Sequence, residues 1–402
     1  MKSRAKKLLN DTQEKVSMLK FSVKHKTEPE HFTRKSPLNY KRVTITILNM
    51  IKKPIKVELM DVFYQMDKEK PIPSRQAFSQ AREKISYTAF QELFELSCEA
   101  ALESEEPRMF KGYRLFAFDG TSFFVGDCEK VSEYFGESTT VAGKSMCRIG
   151  AVVDVLEETL ILASAQPFST GERVIAINQI ERLRKVINAI LLFDRGYWSP
   201  ELVKKIIKNR QKFVMRLASN HKNVTLKGEI LRKFSFILPS GEEEILLTNL
   251  SENEMSNDEL AALYAKRWGI ETKYLELKSR LQIDHISGES YNVILQDIYA
   301  TLYISNLAAF ICLDADEEIQ AKNADKDNKY EQKANRSVCI AALRRRFVEI
   351  ILLDDDRRRN TLLQCLHDDI CKCVTYVAKS KSRPRDKRKI KSSRAIKRHN
   401  LL

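Results

Sequence analysis

The sequence predicts an α/β protein flanked on both sides by helical regions, and three observations carry that prediction. Apolar residues recur at intervals of three and four between about 31 and 108. From about 109 to 217 the pattern alternates between short β-rich runs and amphipathic helices, and from about 257 to the mid-370s it is helical again. Two strands, then helix, strand, helix, strand, place parallel neighbours inside one sheet.

Taken in order, VTITILNMIKKPIKVELMDVF shows the helical recurrence. SRQAFSQAREKI adds a helix with an exposed basic face and Ser74 as its N-cap. YRLFAFDG then ends a β-rich run in an acid and a glycine, while MCRIGAVVDVL and TLILASAQPF read as a hairpin turning at Glu157 and Glu158. Asp127 and Asp154 read as a loop acid and a strand acid on a solvated face. The helix RVIAINQIERLRKVI, the apolar run AILLFDRGY, the helix SPELVKKIIKNRQ and the strand KFVMRLA complete this part. Between 218 and 256, NVTLKGEI, KFSFILP and EEILLTNL are separated by turn residues that include Ser240 and Gly241, which predicts a β-rich antiparallel insertion. Ser256 with Glu259 forms a capping box ahead of a long helix reaching about Arg280. The charged stretch DADEEIQAKNADKDNKYEQKA at about 314 to 336 reads as a solvated loop. The resulting divisions are 1–108, 109–217, 218–256, 257–315, 316–378 and 379–402.

Composition bounds the function classes. With 402 residues, 43% hydrophobic and 31% charged, the chain can bury a core, so disorder throughout is excluded. The net charge of +15 is concentrated: residues 1 to 50 hold 12 basic and 4 acidic residues, and 379 to 402 hold 11 basic residues and only Asp386. Two basic ends on a nearly neutral body predict a polyanion partner, because clustered cations release the most counterions. Nucleic acid ranks first and an anionic membrane surface second. The tail KSKSRPRDKRKIKSSRAIKRHN has no apolar face and is expected to be a disordered arm. The most apolar runs, IGAVVDVLEETLILASA and LYISNLAAFICL, are broken well short of about 18 apolar residues, so no membrane span is expected. MKSRAKKLLN leads into no apolar run, so a cytoplasmic protein without a signal peptide is expected.

The eight cysteines are scattered through a large chain, which predicts reduced thiols. Cys365, His367, Cys371 and Cys373 lie close together, but their gaps match neither finger nor ribbon spacing, which argues against zinc. GESTTVAGKS ends like a phosphate loop, yet six residues separate Gly136 from Gly143 where that motif needs four. Trp198 and Trp268 read as packing residues, and Arg216 as either a nucleic-acid contact or a structural ion pair.

Three acids occupy positions suited to metal binding. Asp119 and Asp194 end β-rich runs, where carboxylates point into the crevice of an α/β sheet, and Glu271 stands on the long helix. Hard Mg²⁺ takes such oxygen ligands. In YAKRWGIETKYLELK, Tyr264, Arg267, Glu271 and Lys278 fall within about 60° of one another at about 100° per residue. An aromatic ring, two cations and an acid thus share a stripe where a core helix would carry apolar residues.

The spacing Tyr264, two residues, Arg267, three residues, Glu271, six residues, Lys278 resembles the signature of the bacterial DDE transposases of the insertion sequence 4 family. FAFDGTSF around Asp119, and Asp194 with Gly196 and Tyr197, resemble that family's two aspartate motifs. The resemblance covers roughly 31 to 315. It implies a ribonuclease H-like catalytic core formed by 109–217 and 257–315, with 218–256 as its β-rich insertion. Residues 1–108 become an N-terminal helical DNA-binding region and 316–378 a C-terminal helical region. It further implies two Mg²⁺ ions, replaceable by Mn²⁺, held by the catalytic Asp119, Asp194 and Glu271, with Tyr264, Arg267 and Lys278 as DNA-binding residues. Its partners would be double-stranded DNA, both the inverted repeats at transposon ends and the target, and a second copy in a homodimeric synaptic complex. Some members use a tryptophan in the insertion for hairpin chemistry, and 218–256 contains none. A non-catalytic DNA-binding descendant and a Mg²⁺-dependent nuclease on the same fold are the alternatives.

Overall fold

Hydrophobic periodicity sets the layers of the computed structural model, which describes residues 3–377 except 50–51, 67–70, 138–143, 187, 220–225, 227, 239–240 and 326–329. The basic tail at 379–402 and the middle of GESTTVAGKS lie outside the described residues. The chain opens with helices α1 (Ser3–Ser17), α2 (Leu19–His25), α3 (Tyr40–Leu48), α4 (Ile55–Met66), α5 (Arg75–Glu83) and α6 (Thr88–Leu102). Ser74 caps α5 as its sequence suggests, its side chain accepting from the Ala77 N–H. Next come β1 (Arg114–Gly126), α7 (Glu129–Phe135), β2 (Ser145–Asp154), β3 (Thr159–Pro167), α8 (Glu172–Arg182), β4 (Ala189–Phe193), α9 (Pro200–Lys208), β5 (Lys212–Leu217), β6 (Arg232–Ile237) and β7 (Glu243–Thr248). After α10 (Asn257–Ala265), α11 (Gly269–Leu275) and the long α12 (Tyr291–Lys322), a short strand β8 (Glu331–Ala334) pairs with β9 (Val374–Val377) across α13 (Arg336–Leu352) and α14 (Asp356–Lys372).

The result is a mixed α/β protein with one large sheet. Seven strands run in the order β3-β2-β1-β4-β5-β7-β6, with β1, β4 and β5 parallel and the other pairings antiparallel. β4 is AILLF with all five residues buried, the continuous apolar run of a central parallel strand covered on both faces. In β6, RKFSFI alternates half-buried and exposed residues, as an edge strand does. Among the described residues, the 218–256 segment forms β6 and β7, which extend the central sheet beyond β5, while half of NVTLKGEI lies outside the described residues. Gly150 lets α8 settle onto β2: a Cβ there would lie 2.5 Å from Ile175 Cγ2.

Three charged groups sit differently from their sequence reading. Asp154 is buried, and its Oδ2 accepts from Arg114 Nε at 2.8 Å. Arg82 leaves the basic face of α5 for the interior, donating to Asp297 Oδ1 at 2.9 Å and Gln296 Oε1 at 3.1 Å. The expected loop at 314–336 is helical as far as Lys322, and Asp314 and Asp316 are buried. Local sequence shows the charge but not the burial, nor the distant partners that compensate Asp154 and Arg82.

α12 is the axis of the helical side. Every residue from Asn292 to Asp316 is buried, and Asn306 bonds to both the N–H and C=O of Leu160 on β3. By length and composition the helix could cross a membrane, but its most apolar window is wholly covered by protein.

Candidate active site

Parallel pairing of β1 with β4 runs from Arg114↔Ala189 to Phe118↔Phe193. Asp119 and Asp194 are each the next residue, so the two acids lie side by side, strands being about 4.8 Å apart, but only Asp194 leaves its strand: Asp119, expected at a strand end, is inside β1, which continues to Gly126 paired with β2. The apolar runs LFAF and AILLF anchor both strands below them, which is why the acids emerge at one level. Asp119 Oδ1 accepts from the Gly120 N–H at 2.8 Å. Asp194 opens a 3-10 turn through Tyr197, closed by the Tyr197 N–H onto the Asp194 carbonyl at 3.1 Å. Its own Oδ1 is buried without a hydrogen-bond partner.

The third acid arrives on the helical segment that packs against these two strands. The Ser256–Glu259 capping box starts α10, a 3-10 turn at Lys266–Trp268 joins it to α11, and Glu276–Arg280 continues as a π-helical turn. Tyr264 is buried and donates its hydroxyl to the Phe193 carbonyl at 3.2 Å, fixing α10 against the residue before Asp194. Arg267 is buried too. Its Nη2 donates to Glu271 Oε1 at 3.1 Å, and its charge also acts on Asp119 and Asp194. One guanidinium is therefore bonded to Glu271 and lies within electrostatic range of both aspartates. Glu271 is partly exposed, and Lys278 is half-buried with Nζ 3.4 Å from the Ser122 carbonyl on β1. Of the four residues predicted to share a helix face, Tyr264 and Arg267 point into the protein, while Glu271 and Lys278 reach solvent along β1.

The sequence did not reveal several neighbours. Tyr274 donates its hydroxyl to the Asp119 carbonyl at 2.6 Å. Glu172, the first residue of α8, comes so close that a Cβ at Gly120 would lie 2.8 Å from its carboxyl carbon, which explains why a glycine follows Asp119. Arg148 approaches Glu172 at 3.8 Å. A signal for Tyr274 existed, since it lies three residues beyond Glu271; Glu172 gives none until β1 and α8 are packed together. Arg216 pairs with Glu244 at 3.1 Å. On the inner side of the helix, Glu276 accepts from Lys273 at 2.9 Å, Ser305 at 3.0 Å and Arg336 at 2.8 Å, which clamps the π-helical turn to α12 and α13.

Burial pushes the Asp119 carboxyl up to about 6; the Gly120 N–H and Arg267 oppose the shift, and the negative charges of Glu172 and Asp194 add to it. Burial likewise lowers Lys278, against the pull of Asp284. Several carboxylates converging on one cation, an orphaned buried oxygen on Asp194 and an Asp119 that resists ionisation describe a cluster short of positive charge. Its donors are oxygens, so it fits a hard divalent cation.

Residues 110–307 match the family model described as transposase DDE domain. A curated relative, "Putative transposase for insertion sequence element IS4SA" from Synechocystis sp., is 26% identical over 136 residues, which span 29% of this chain and 39% of that one. Among solved structures, the piggyBac transposase synaptic complex with hairpin DNA aligns over 89% of this chain and 85% of its own, at 9% identity and a TM-score of 0.49.

Proposed function

We propose that the protein is a DDE-type DNA transposase that cuts DNA at the ends of a mobile element and joins the freed strand to target DNA, a reading supported by the match of residues 110–307 to the transposase DDE domain model. The observation that carries this reading is the juxtaposition of Asp119 and Asp194 at one level of the adjacent parallel strands β1 and β4, with Arg267 bonded to Glu271 and within electrostatic range of both aspartates. The order β3-β2-β1-β4-β5, antiparallel on one side of β1 and parallel on the other, supports a ribonuclease H-like core, with β6 and β7 as its insertion.

Asp119, Asp194 and Glu271 would hold the divalent ions. Such ions supply a Lewis acid for the phosphoryl oxygen and a nucleophile active at neutral pH. In cleavage, water attacks the phosphorus and the 3′-oxygen of the element's strand leaves, giving a 3′-OH and a 5′-phosphate. In joining, that 3′-OH attacks a target phosphate and displaces a 3′-oxygen. The chain's own contribution is placement. Tyr264 holds α10 to the end of β4, Tyr274 holds α11 to the middle of β1, and Arg267 fixes the Glu271 carboxylate. Lys278, beside Ser122 at the solvent edge, meets the DNA phosphates. Double-stranded DNA is the partner, the helices of 1–108 and the basic tail add nonspecific grip, and a homodimer pairs two ends.

The test is an assay with labelled ends and a plasmid target in Mg²⁺ or Mn²⁺. Wild type is expected to yield cut ends and joined product, while Glu271→Gln yields neither and still binds ends. Cutting without joining would identify a nuclease, neither reaction in wild type would identify a binding protein, and cleavage by Glu271→Gln would remove Glu271 from the site.

A further inference from the structure

Away from Asp119, Asp194 and Glu271, α12 and α14 bring a second set of metal-binding side chains together. His367 and Cys371 are one helical turn apart on α14, so both face α12. Glu318 of α12 meets them. His367 Nε2 lies 2.8 Å from Glu318 Oε2 and 3.5 Å from Cys371 Sγ, and the three donor atoms all fall within 4.8 Å of one another. A ring nitrogen offers one proton or one lone pair, so Nε2 satisfies only one of these two neighbours at a time. Tetrahedral zinc, with Zn–N near 2.0 Å and Zn–S near 2.3 Å, separates its donors by about 3.3–3.8 Å.

A second feature points the same way. His367 is 3% exposed, and its other nitrogen, Nδ1, has no partner. Asp314, one turn before Glu318 on α12, is buried, interacts electrostatically with His367 and has an orphaned Oδ2. Metal-bound histidines ordinarily donate their free N–H to a carboxylate, and Asp314, although not bonded to Nδ1 here, is a buried carboxylate within electrostatic range of this ring. Lys322, on the solvent side, is the present partner of Glu318 and is exposed enough to leave it.

We propose that Glu318, His367 and Cys371 form a zinc site with water as its fourth ligand and Asp314 orienting His367, and that the ion staples α14 to the core helix α12. The sequence hid this site because spacing within 365–373 resembles no zinc motif, and the third ligand lies 49 residues before His367.

The full chain, held in excess Mg²⁺ to occupy oxygen-only sites, is titrated with Co²⁺ as the spectroscopic probe and then competed with Zn²⁺. The expected result is one equivalent bound, with a thiolate-to-cobalt charge-transfer band and the visible bands of a four-coordinate ion, both displaced by Zn²⁺. Cys371→Ser abolishes the charge-transfer band, Cys365→Ser and Cys373→Ser leave it, and Asp314→Asn keeps it with affinity about 10- to 100-fold weaker. Circular dichroism verifies that each variant is folded; because Cys371→Ser could misfold, Glu318→Gln provides an independent arm, with at least tenfold weaker binding expected. Absence of the thiolate band in wild type, its survival in Cys371→Ser, or unchanged affinity in a folded Glu318→Gln overturns the proposal.

Discussion

Replacing Asp119 by Asn should stabilise the metal-free protein at neutral pH. Asn keeps an oxygen to accept from the Gly120 N–H and removes the charge that burial, Glu172 and Asp194 disfavour. Folding raises the Asp119 carboxyl from 3.8 to about 6. A carboxyl raised in the folded state costs nothing below its unfolded value. The cost appears as pH climbs from about 4 to about 6 and is complete above that. Two pKa units correspond to about 3 kcal/mol, and partial solvent screening reduces this to about 2 kcal/mol. For a chain of 402 residues unfolding as one unit, that is a rise in Tm of about 2–3 °C. Thermal unfolding in EDTA should therefore show Asp119→Asn above wild type at pH 7.5 and nearly level with it at pH 4.5. Adding Mg²⁺ at pH 7.5 should raise wild type and leave the variant unmoved, reversing their order. A variant less stable than wild type in EDTA at pH 7.5, or a gap independent of pH, would refute the charge-deficit account of the site.

Further expectations concern the helical segment that carries Glu271. Tyr264→Phe loses one hydrogen bond to the Phe193 carbonyl, about 1 kcal/mol, and should retain end cleavage, whereas Tyr264→Ala opens a cavity costing about 3–5 kcal/mol; equal melting temperatures for the two variants would show that the ring is not a packing element. Lys278→Ala should lower the slope of log affinity against log salt by about one unit, a change that fluorescence anisotropy on an end duplex at several salt concentrations would detect. Deleting 379–402, which carry 11 basic residues, should weaken binding to end and random duplexes alike, and a loss confined to end duplexes would assign sequence recognition to the tail.

The sheet was legible where its signal is local. AILLF and LFAF read as buried strands, and the acid directly after each run marked the level that the β1–β4 register brings together, although β1 continues past Asp119 to Gly126. The order of strands was not legible, since nothing in EEILLTNL says that it pairs with KFVMRLA and extends the central sheet. On the helix, spacing placed Tyr264, Arg267, Glu271 and Lys278 along one stripe, but the 3-10 and π-helical turns and the packing against β4 decided that the first two face inward. The burial of charge and its long-range compensation escaped altogether. Asp154, Arg82 and Asp314 each look solvated in their own sequence, and Glu172 reaches Asp119 only because Gly120 leaves room for it.

The burial of α12 also has a consequence for synthesis. This helix is apolar enough to resemble a membrane segment, and part of its covering is α13 and α14, which the ribosome makes afterwards. From Lys322 to Lys372 is 50 residues, about 3–10 s of elongation. Throughout that interval the nascent chain carries this long apolar helix without the covering of α13 and α14. A message broken before residue 336 would yield a fragment that holds Asp119, Asp194 and Glu271 yet cannot cover α12. Such a fragment would leave exposed the part of α12 that α13 and α14 cover.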